Sequence, residues 1–234
     1  MNRMFVLIHS PLVGPYTWEA VATSMRGMGE TPVVPELRSP FRIEGRYWER
    51  HVESVARAVD RVGSDTPVVL VAHSGAGCLL PALCAHLGDR AGACILADAG
   101  LFHPGSSRFG TFEDAAVLDQ FRASAREGML LPPWGEADLR PLIPDDAVRL
   151  AFLADIEPMA LRVYEEPMPP LDIPDGMQRG YLLFSTAYRF HFERAKLLGW
   201  HTREFRGGHF EMLRRPEPVA TALVELADAL LAER

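Results

Sequence analysis

Cysteine is scarce in this sequence, with three residues among 234. Cys78, Cys84 and Cys94 are odd in number, lie in or beside apolar segments and show no C-x-x-C spacing. Neither a disulfide framework nor a zinc site is therefore predicted. We expect three small, buried thiols in a protein that works in a reducing compartment.

Long apolar runs and blocks of like charge are absent as well. The apolar run at residues 4–8 is too short for a signal peptide, and the apolar segment 67–88 is interrupted by polar residues, glycines and a proline. The net charge is −7, and no run of five or six like charges offers a surface for nucleic acid or anionic lipid. These absences predict a cytoplasmic protein that binds neither nucleic acid nor a membrane.

What is present is the composition of one folded domain, with 48% hydrophobic residues. Short apolar runs alternate with amphipathic stretches, which predicts βαβ units and an α/β fold with a doubly wound, mostly parallel six-stranded sheet. The predicted strands are 4–8, 32–37, 67–72, 93–97, 181–185 and 202–205. The predicted helices are 18–27, 47–62, 77–87, 191–199 and 216 to the end.

The alternation fails between residues 101 and 177, which hold ten of the 19 prolines. Two helical patterns occur there, around 112–127 and 145–164. An excursion of this length between two strands is too long for a tight crossover. We therefore predict that 101–177 forms a helical cap, inserted before the penultimate strand and packed over the carboxyl end of the sheet, where it shapes a substrate pocket.

One serine occupies the turn between a buried strand and a helix. Residues 68–77 read VVLVAHSGAG, which matches the G-x-S-x-G nucleophile elbow with Ala72 and Ala76 in place of the two glycines. Small residues are needed there because strand and helix approach closely. The strained turn lifts the hydroxyl of Ser74 above the sheet, so we predict that Ser74 is a catalytic nucleophile.

A serine hydroxyl needs a base to remove its proton, so the elbow predicts a histidine late in the chain. His209 follows Gly207 and Gly208 in the loop between the last predicted strand and the last helix. It is the only one of the eight histidines with that placement. We predict that His209 is the catalytic base.

These segments together resemble the α/β-hydrolase superfamily, and within it the branch of plant-type hydroxynitrile lyases and small methyl esterases. FVLIH at 5–9, followed by Pro11 and Trp18, resembles the first strand and oxyanion loop of that branch. LADA at 96–99 with PGS at 104–106, and GGH at 207–209, resemble the start of its cap and its histidine loop. The resemblance covers nearly the whole chain and implies the fold more specifically than the reaction.

The first departure from the family pattern concerns the acid that orients the histidine. Most members carry it shortly after the penultimate strand, where this chain has Tyr188. Other members take it from the end of the strand that follows the elbow helix, and Asp98 ends that strand here. Parallel neighbours end side by side, so Asp98 can reach the same imidazole. Asp98 is our predicted acid; three glutamates, expected to be solvated, are alternatives: Glu193, Glu204 and Glu211.

The second departure concerns the oxyanion hole, which needs two donors. Gly75, after the nucleophile, supplies one N–H. The register places Pro11 at the position of the second, and proline has no N–H. Three possibilities stay open: Leu12 or its neighbour Val13 donates after a shift of the loop, the Ser10 hydroxyl substitutes as a hydroxyl does in the lyases of this branch, or the alignment is off by one residue.

The pattern favours a serine hydrolase that cleaves a small, mainly apolar carboxylic ester, lactone or thioester through an acyl-enzyme, without metal or organic cofactor. Its partner is then a small-molecule substrate, and the oligomeric state is not predicted. A non-hydrolytic lyase or cyclase, or a catalytically silent binding protein, are the alternatives on the same scaffold. The residues expected to line the pocket are Pro11, Tyr16, Trp18, Phe102, Trp134 and Tyr188.

Overall fold

A computed structural model describes residues 3–37, 46–63, 66–111, 115–126, 131–132, 134–159 and 161–232. Six parallel strands form one sheet, as the alternating pattern predicted: β1 Met4–Ile8, β2 Thr31–Val33, β3 Val68–His73, β4 Ala91–Ala97, β5 Gln178–Leu183 and β6 His201–Glu204. Their order across the sheet is β2-β1-β3-β4-β5-β6. The predicted second strand, 32–37, is too long, because pairing with β1 stops at Val33.

Helices cover both faces of the sheet because successive strand residues point to opposite sides. On one face α1 (Tyr16–Gly27) and α10 (Pro216–Ala232) pack on side chains that include Phe5 and Val71. On the other face α2 (Tyr47–Val62), α3 (Leu80–Leu87) and α8 (Arg189–Leu197) pack on side chains that include Val6 and Leu70. A short α9 (Glu211–Arg214) precedes α10. Within the described ranges, no helix combines the length and the apolar character needed to cross a bilayer.

In the described residues between β4 and β5 the chain forms four helices. They are α4 (Ala115–Arg126), α5 (Glu136–Leu139), α6 (Asp146–Ala154) and α7 (Arg162–Glu165). The single helix predicted at 145–164 is wrong: α6 ends at Ala154, a segment with Pro158 follows, and Met159 forms a β-bridge with Leu131 before α7 begins. Of the helix predicted at 112–127, residues 112–114 and 127 lie outside the described residues.

A buried arginine joins this inserted segment to the body of the domain. Arg108 is 1% exposed and donates from Nε to the Gly75 carbonyl at 3.2 Å and from Nη1 to the Val163 carbonyl at 2.7 Å. Its Nη1 also lies 3.5 Å from Oε1 of Glu166. Arg108 therefore connects the turn after β3 with the segment around α7.

Candidate active site

Ser74 stands at the end of β3, at the position where the sequence predicts a nucleophile elbow. Its φ is +53°, a left-handed conformation that is uncommon for a residue with a side chain and is typical of strained functional turns. A 3₁₀ helix, Ser74–Leu79, follows directly and leads into α3. Ala72 and Ala76 are fully buried, as expected for the two positions that need small residues.

Asp98 follows β4 and is fully buried, so its charge depends on hydrogen bonds. Oδ1 accepts from the backbone N–H groups of Phe184 and Ser185 at 2.8 and 2.9 Å. Oδ2 accepts from the Ser185 hydroxyl at 2.6 Å and lies 2.8 Å from Nδ1 of His209. Because β4 lies between β3 and β5, the carboxylate sits one strand from Ser74, as expected from the sequence.

His209 lies in the loop between β6 and α9, and backbone contacts hold that loop over the sheet. Gly207 N–H donates to the Phe184 carbonyl at 3.0 Å, and His73 Nε2 lies 3.0 Å from the His209 carbonyl, which it reaches as a donor. The His73 and His209 rings are 4.5 Å apart between centroids. Complete burial lowers the pKa of His73 well below its ordinary value, so His73 is neutral and contributes a hydrogen bond without charge.

The three glutamates weighed as alternative acids are engaged elsewhere. Glu193 pairs with Lys196, and Glu204 with Arg189. Glu211 is 1% exposed, contrary to the solvated position expected for it, and accepts from Gly208 N–H at 2.9 Å. The carboxylate that meets the imidazole of His209 is Asp98.

Tyr188 occupies the place where most family members carry their acid, and it contacts both Ser74 and His209. Its hydroxyl lies 3.2 Å from Oγ of Ser74, and its ring stacks on His209 with centroids 5.1 Å apart and an interplanar angle of 8°. Burial raises the pKa of Tyr188 above its ordinary value, so the phenol stays neutral. The Ser74 hydroxyl thus meets Tyr188 here; catalytic hydrogen bonds commonly tighten only when substrate is bound.

The predicted oxyanion loop carries no N–H at Pro11, and the N–H groups of the next two residues donate to Ser10. Leu12 N–H donates to the Ser10 hydroxyl at 3.3 Å, and Val13 N–H to the Ser10 carbonyl at 3.0 Å. In this conformation Leu12 acts on Ser10 and not directly on a substrate. The Ser10 hydroxyl lies beside Gly75, since a Cβ added to Gly75 would stand 3.1 Å from its Oγ.

Two of the predicted pocket residues are placed elsewhere. Trp18 is fully buried in the core, with its ring 6.0 Å from His73, because α1 turns it inward against β3; it does not line a pocket mouth. Phe102 lines a cavity of about 520 Å³ together with residues such as Trp200 and Arg179, and neither Ser74 nor His209 lines that cavity. Phe102, in the connection after β4, packs on the face of the sheet that α2, α3 and α8 cover.

Among the other predicted pocket residues, Trp134 comes near His209 through Phe210. Trp134 packs edge-on against Phe210 at 6.0 Å, and Phe210 lies 5.1 Å from the ring of His209. Tyr16 is half-buried at the start of α1, where its N–H donates to Asp155 at 2.8 Å. Pro11 is buried in the oxyanion loop. Their contact with a substrate stays a prediction.

Sequence reasoning missed three residues of this site. Ser185 holds Asp98, and the signal was its position directly after β5, beside the expected acid. His73 holds the carbonyl of His209, and the signal was a buried polar residue next to the nucleophile. Tyr164 places its hydroxyl 3.3 Å from Oγ of Ser10. Nothing in the local sequence indicates this contact, because Tyr164 comes from the inserted segment.

A family model described as the alpha/beta hydrolase family matches residues 5–222, which is most of the chain. The chain belongs to the alpha/beta hydrolase family. No curated protein sequence matches this hydrolase. In the part of the chain that the structure describes, no group of three or more His, Cys, Asp or Glu side chains is arranged to hold a metal ion.

Solved structures share the fold over nearly the full length of this hydrolase. An extracellular alpha/beta-hydrolase from a Paenibacillus species, described as structurally and functionally homologous to tobacco Salicylic Acid Binding Protein 2, is 22% identical with a TM-score of 0.78, covering 96% of this chain and 99% of its own. Polyneuridine aldehyde esterase is 16% identical with a TM-score of 0.72, covering 97% and 100%. Tomato methylketone synthase I is 14% identical with a TM-score of 0.69, covering 98% and 99%. These neighbours carry the fold that the sequence resemblance implied.

Proposed function

We propose that this alpha/beta hydrolase is a serine esterase that cleaves a small, mainly apolar carboxylic ester, lactone or thioester through an acyl-enzyme. The observation that carries the proposal is the contact between Oδ2 of the buried Asp98 and Nδ1 of His209, at 2.8 Å, beside a serine in a left-handed turn. A carboxylate in that position fixes the tautomer in which Nδ1 carries the proton. Nε2 is then free to accept a proton from Ser74.

In the proposed reaction, Oγ of Ser74 forms a bond to the acyl carbon while its proton passes to Nε2 of His209. The carbonyl π electrons move onto the oxygen, which Gly75 N–H and a hydroxyl group beside Gly75 stabilise. When the tetrahedral centre collapses, the bond to the leaving group breaks and His209 returns the proton to it. Water then repeats the sequence with the same base, releasing the acid and restoring Ser74.

The surroundings of the site support an apolar acyl or alcohol group. Phe210 and Phe152, with centroids 4.9 Å apart, and Trp134 form an aromatic cluster next to His209. Among the structural neighbours, polyneuridine aldehyde esterase is named for ester hydrolysis. The three cysteines are buried free thiols, which favours a reducing compartment such as the cytoplasm.

Intact-mass analysis after exposure to an alkyl fluorophosphonate tests the proposal. We expect rapid single labelling of the wild type and no labelling of Ser74→Ala or of His209→Ala, since removal of the base costs about as much as removal of the nucleophile. Asp98→Asn is expected to be slowed by about 10⁴-fold because the imidazole takes the wrong tautomer. Ser24→Ala, which alters an exposed serine of α1, is the control and is expected to label at the wild-type rate.

An unlabelled wild type contradicts the proposal and directs the search to a lyase, a cyclase or a binding protein. A wild type that is labelled but hydrolyses no ester, lactone or thioester is not the proposed hydrolase. Release of an elimination product then indicates a lyase, and release of a cyclised product indicates a cyclase. The product is identified by mass spectrometry. Hydrolysis of p-nitrophenyl butyrate by the wild type and its loss in Ser74→Ala complete the test.

A further inference from the structure

Tyr164 of α7 places a phenol hydroxyl at the proposed oxyanion hole. The side chain is 3% exposed, and a Cβ added to Gly75 would stand 2.5 Å from its hydroxyl oxygen. That oxygen is also 3.3 Å from Oγ of Ser10. The hydroxyl therefore lies between the residue that follows the nucleophile and the loop in which Pro11 lacks an N–H.

The hydrogen-bond partners of Ser10 allow Tyr164 to keep its hydrogen for a further acceptor. Oγ of Ser10 accepts from Leu12 N–H at 3.3 Å, so its own hydrogen can be given to Tyr164 at 3.3 Å. The hydrogen of Tyr164 then remains for a third group. Such a chain of donors strengthens the last hydrogen bond through polarisation of the earlier ones. Its free end is at the phenol, which is the hydroxyl closer to Gly75.

Tyr164 is held in this place and keeps its proton. Arg108 donates to the carbonyl of the preceding residue, Val163, at 2.7 Å and to the carbonyl of Gly75 at 3.2 Å, so one buried side chain fixes both sides of the contact. The ring of Phe109 packs against the Tyr164 ring at 5.5 Å. Burial raises the pKa of Tyr164 to about 12, so the phenol remains a donor at neutral pH.

We propose that Tyr164 is a catalytic residue of this hydrolase, donating from the cap the second hydrogen bond to the oxyanion that Pro11 is unable to supply. This inference rests on the proposed serine hydrolase function. Ser10 is then a positioning residue that orients the phenol, and Gly75 N–H is the first donor. During acylation the phenol keeps its proton: the proton of Ser74 goes to His209, and Tyr164 only hydrogen-bonds the oxygen that gains the electron pair.

Two measurements on Tyr164→Phe test this role. The first is kcat and KM for p-nitrophenyl butyrate, where we expect kcat to fall about a hundredfold, as for loss of one oxyanion donor, with KM changed less than about threefold. The second is the inhibition constant of an alkyl trifluoromethyl ketone, whose adduct with a serine carries the oxyanion. We expect that affinity to fall by the same factor as kcat/KM.

Tyr47→Phe is the matched control, because Tyr47 is a tyrosine of similar burial on α2 outside the site. It is expected to retain kcat and ketone affinity within about twofold. Thermal unfolding of all variants confirms that they are folded at the assay temperature. Ser10→Ala is expected to lose less kcat than Tyr164→Phe, since the phenol keeps its hydrogen.

Three results overturn the inference. One is a Tyr164→Phe enzyme with kcat and ketone affinity near wild type, and another is a faster enzyme, which shows that the phenol obstructs the hole. The third is a larger loss in Ser10→Ala than in Tyr164→Phe, which makes Ser10 the donor. A wild type that neither turns over the ester nor binds the ketone contradicts the proposed function itself, and this inference falls with it.

Discussion

Replacing Glu166 with glutamine tests whether the ion pair between Glu166 and Arg108 stabilises the domain. Oε1 of Glu166 lies 3.5 Å from Arg108, and the side chains are 10% and 1% exposed. The two carboxylate oxygens also accept the first N–H groups of α2, from Tyr47 at 2.9 Å and Trp48 at 2.8 Å. A glutamine of the same size keeps one acceptor oxygen and removes the charge.

The expected magnitude follows from these contacts. Removing one partner of a buried pair costs about 3–5 kcal/mol, because the other charge is left uncompensated. In a domain of this size each kcal/mol shifts the melting temperature by roughly 2–4 °C, so we expect Glu166→Gln to lower it by about 6–20 °C. The fall in stability is measured by urea unfolding and by circular dichroism on heating.

Glu193→Gln is the matched control, since its pair with Lys196 at 3.0 Å is half-exposed on both sides. Pairs of that kind contribute at most about 1 kcal/mol. The reasoning is refuted if the free energies of unfolding of Glu166→Gln and Glu193→Gln differ by less than about 1 kcal/mol. That result would mean that the Arg108–Glu166 contact does not stabilise the link between the inserted segment and the elbow.

Three further predictions concern the strained serine, the support of the acid and the buried histidines. Because Ser74 has φ +53°, Ser74→Gly is expected to be about 1 kcal/mol more stable than Ser74→Ala in urea unfolding; equal stability would mean that the turn is unstrained. Ser185→Ala removes a 2.6 Å hydrogen bond to the buried carboxylate of Asp98 and is expected to lower the free energy of unfolding by about 1.5–3 kcal/mol; a loss below about 0.5 kcal/mol contradicts this. The rate of labelling at Ser74 is expected to stay within about tenfold of wild type, because the hydrogen bond from His209 to Asp98 remains. Burial lowers the pKa of three histidines, which are His9, His51 and His73. Near pH 6.5 they bind protons only when the chain unfolds, so the folded state loses stability as the pH falls below that value. Between pH 7 and 5.5 we expect the free energy of unfolding to fall by at most about 1.2 kcal/mol for each histidine, measured by urea unfolding at both pH values; a flat profile would contradict the expectation.

The sheet and the turn at Ser74 were predictable because their signals are local. Apolar runs of strand length, separated by helical patterns, indicate parallel strands wherever they occur in the chain. A serine between small residues after a buried strand indicates an elbow, and a histidine after two glycines in the last loop fits the same fold. Asp98 was predicted because other members of the family take the acid from the end of this strand, and the ends of neighbouring parallel strands meet at one edge of the sheet.

The errors lie where an element depends on its partners. The helix predicted at 145–164 is interrupted around Pro158, where Met159 pairs with Leu131. The second strand ends at Val33, where its pairing with β1 stops although β1 itself continues to Ile8. Trp18 and Phe102 are on the segments expected, but the face of each segment that meets the core was not determined by their position in sequence.

The sequence by itself determined the order of strands and helices along this hydrolase and indicated Ser74, Asp98 and His209 as candidate site residues, because each follows the end of a strand. Only the tertiary structure decided what surrounds them. Tyr164 approaches Gly75 across 89 positions of the chain, and Ser185 and Tyr188 reach Asp98 and Ser74 from the segment after β5. Local periodicity does not encode such contacts, since they arise from the way short helices pack over the edge of the sheet.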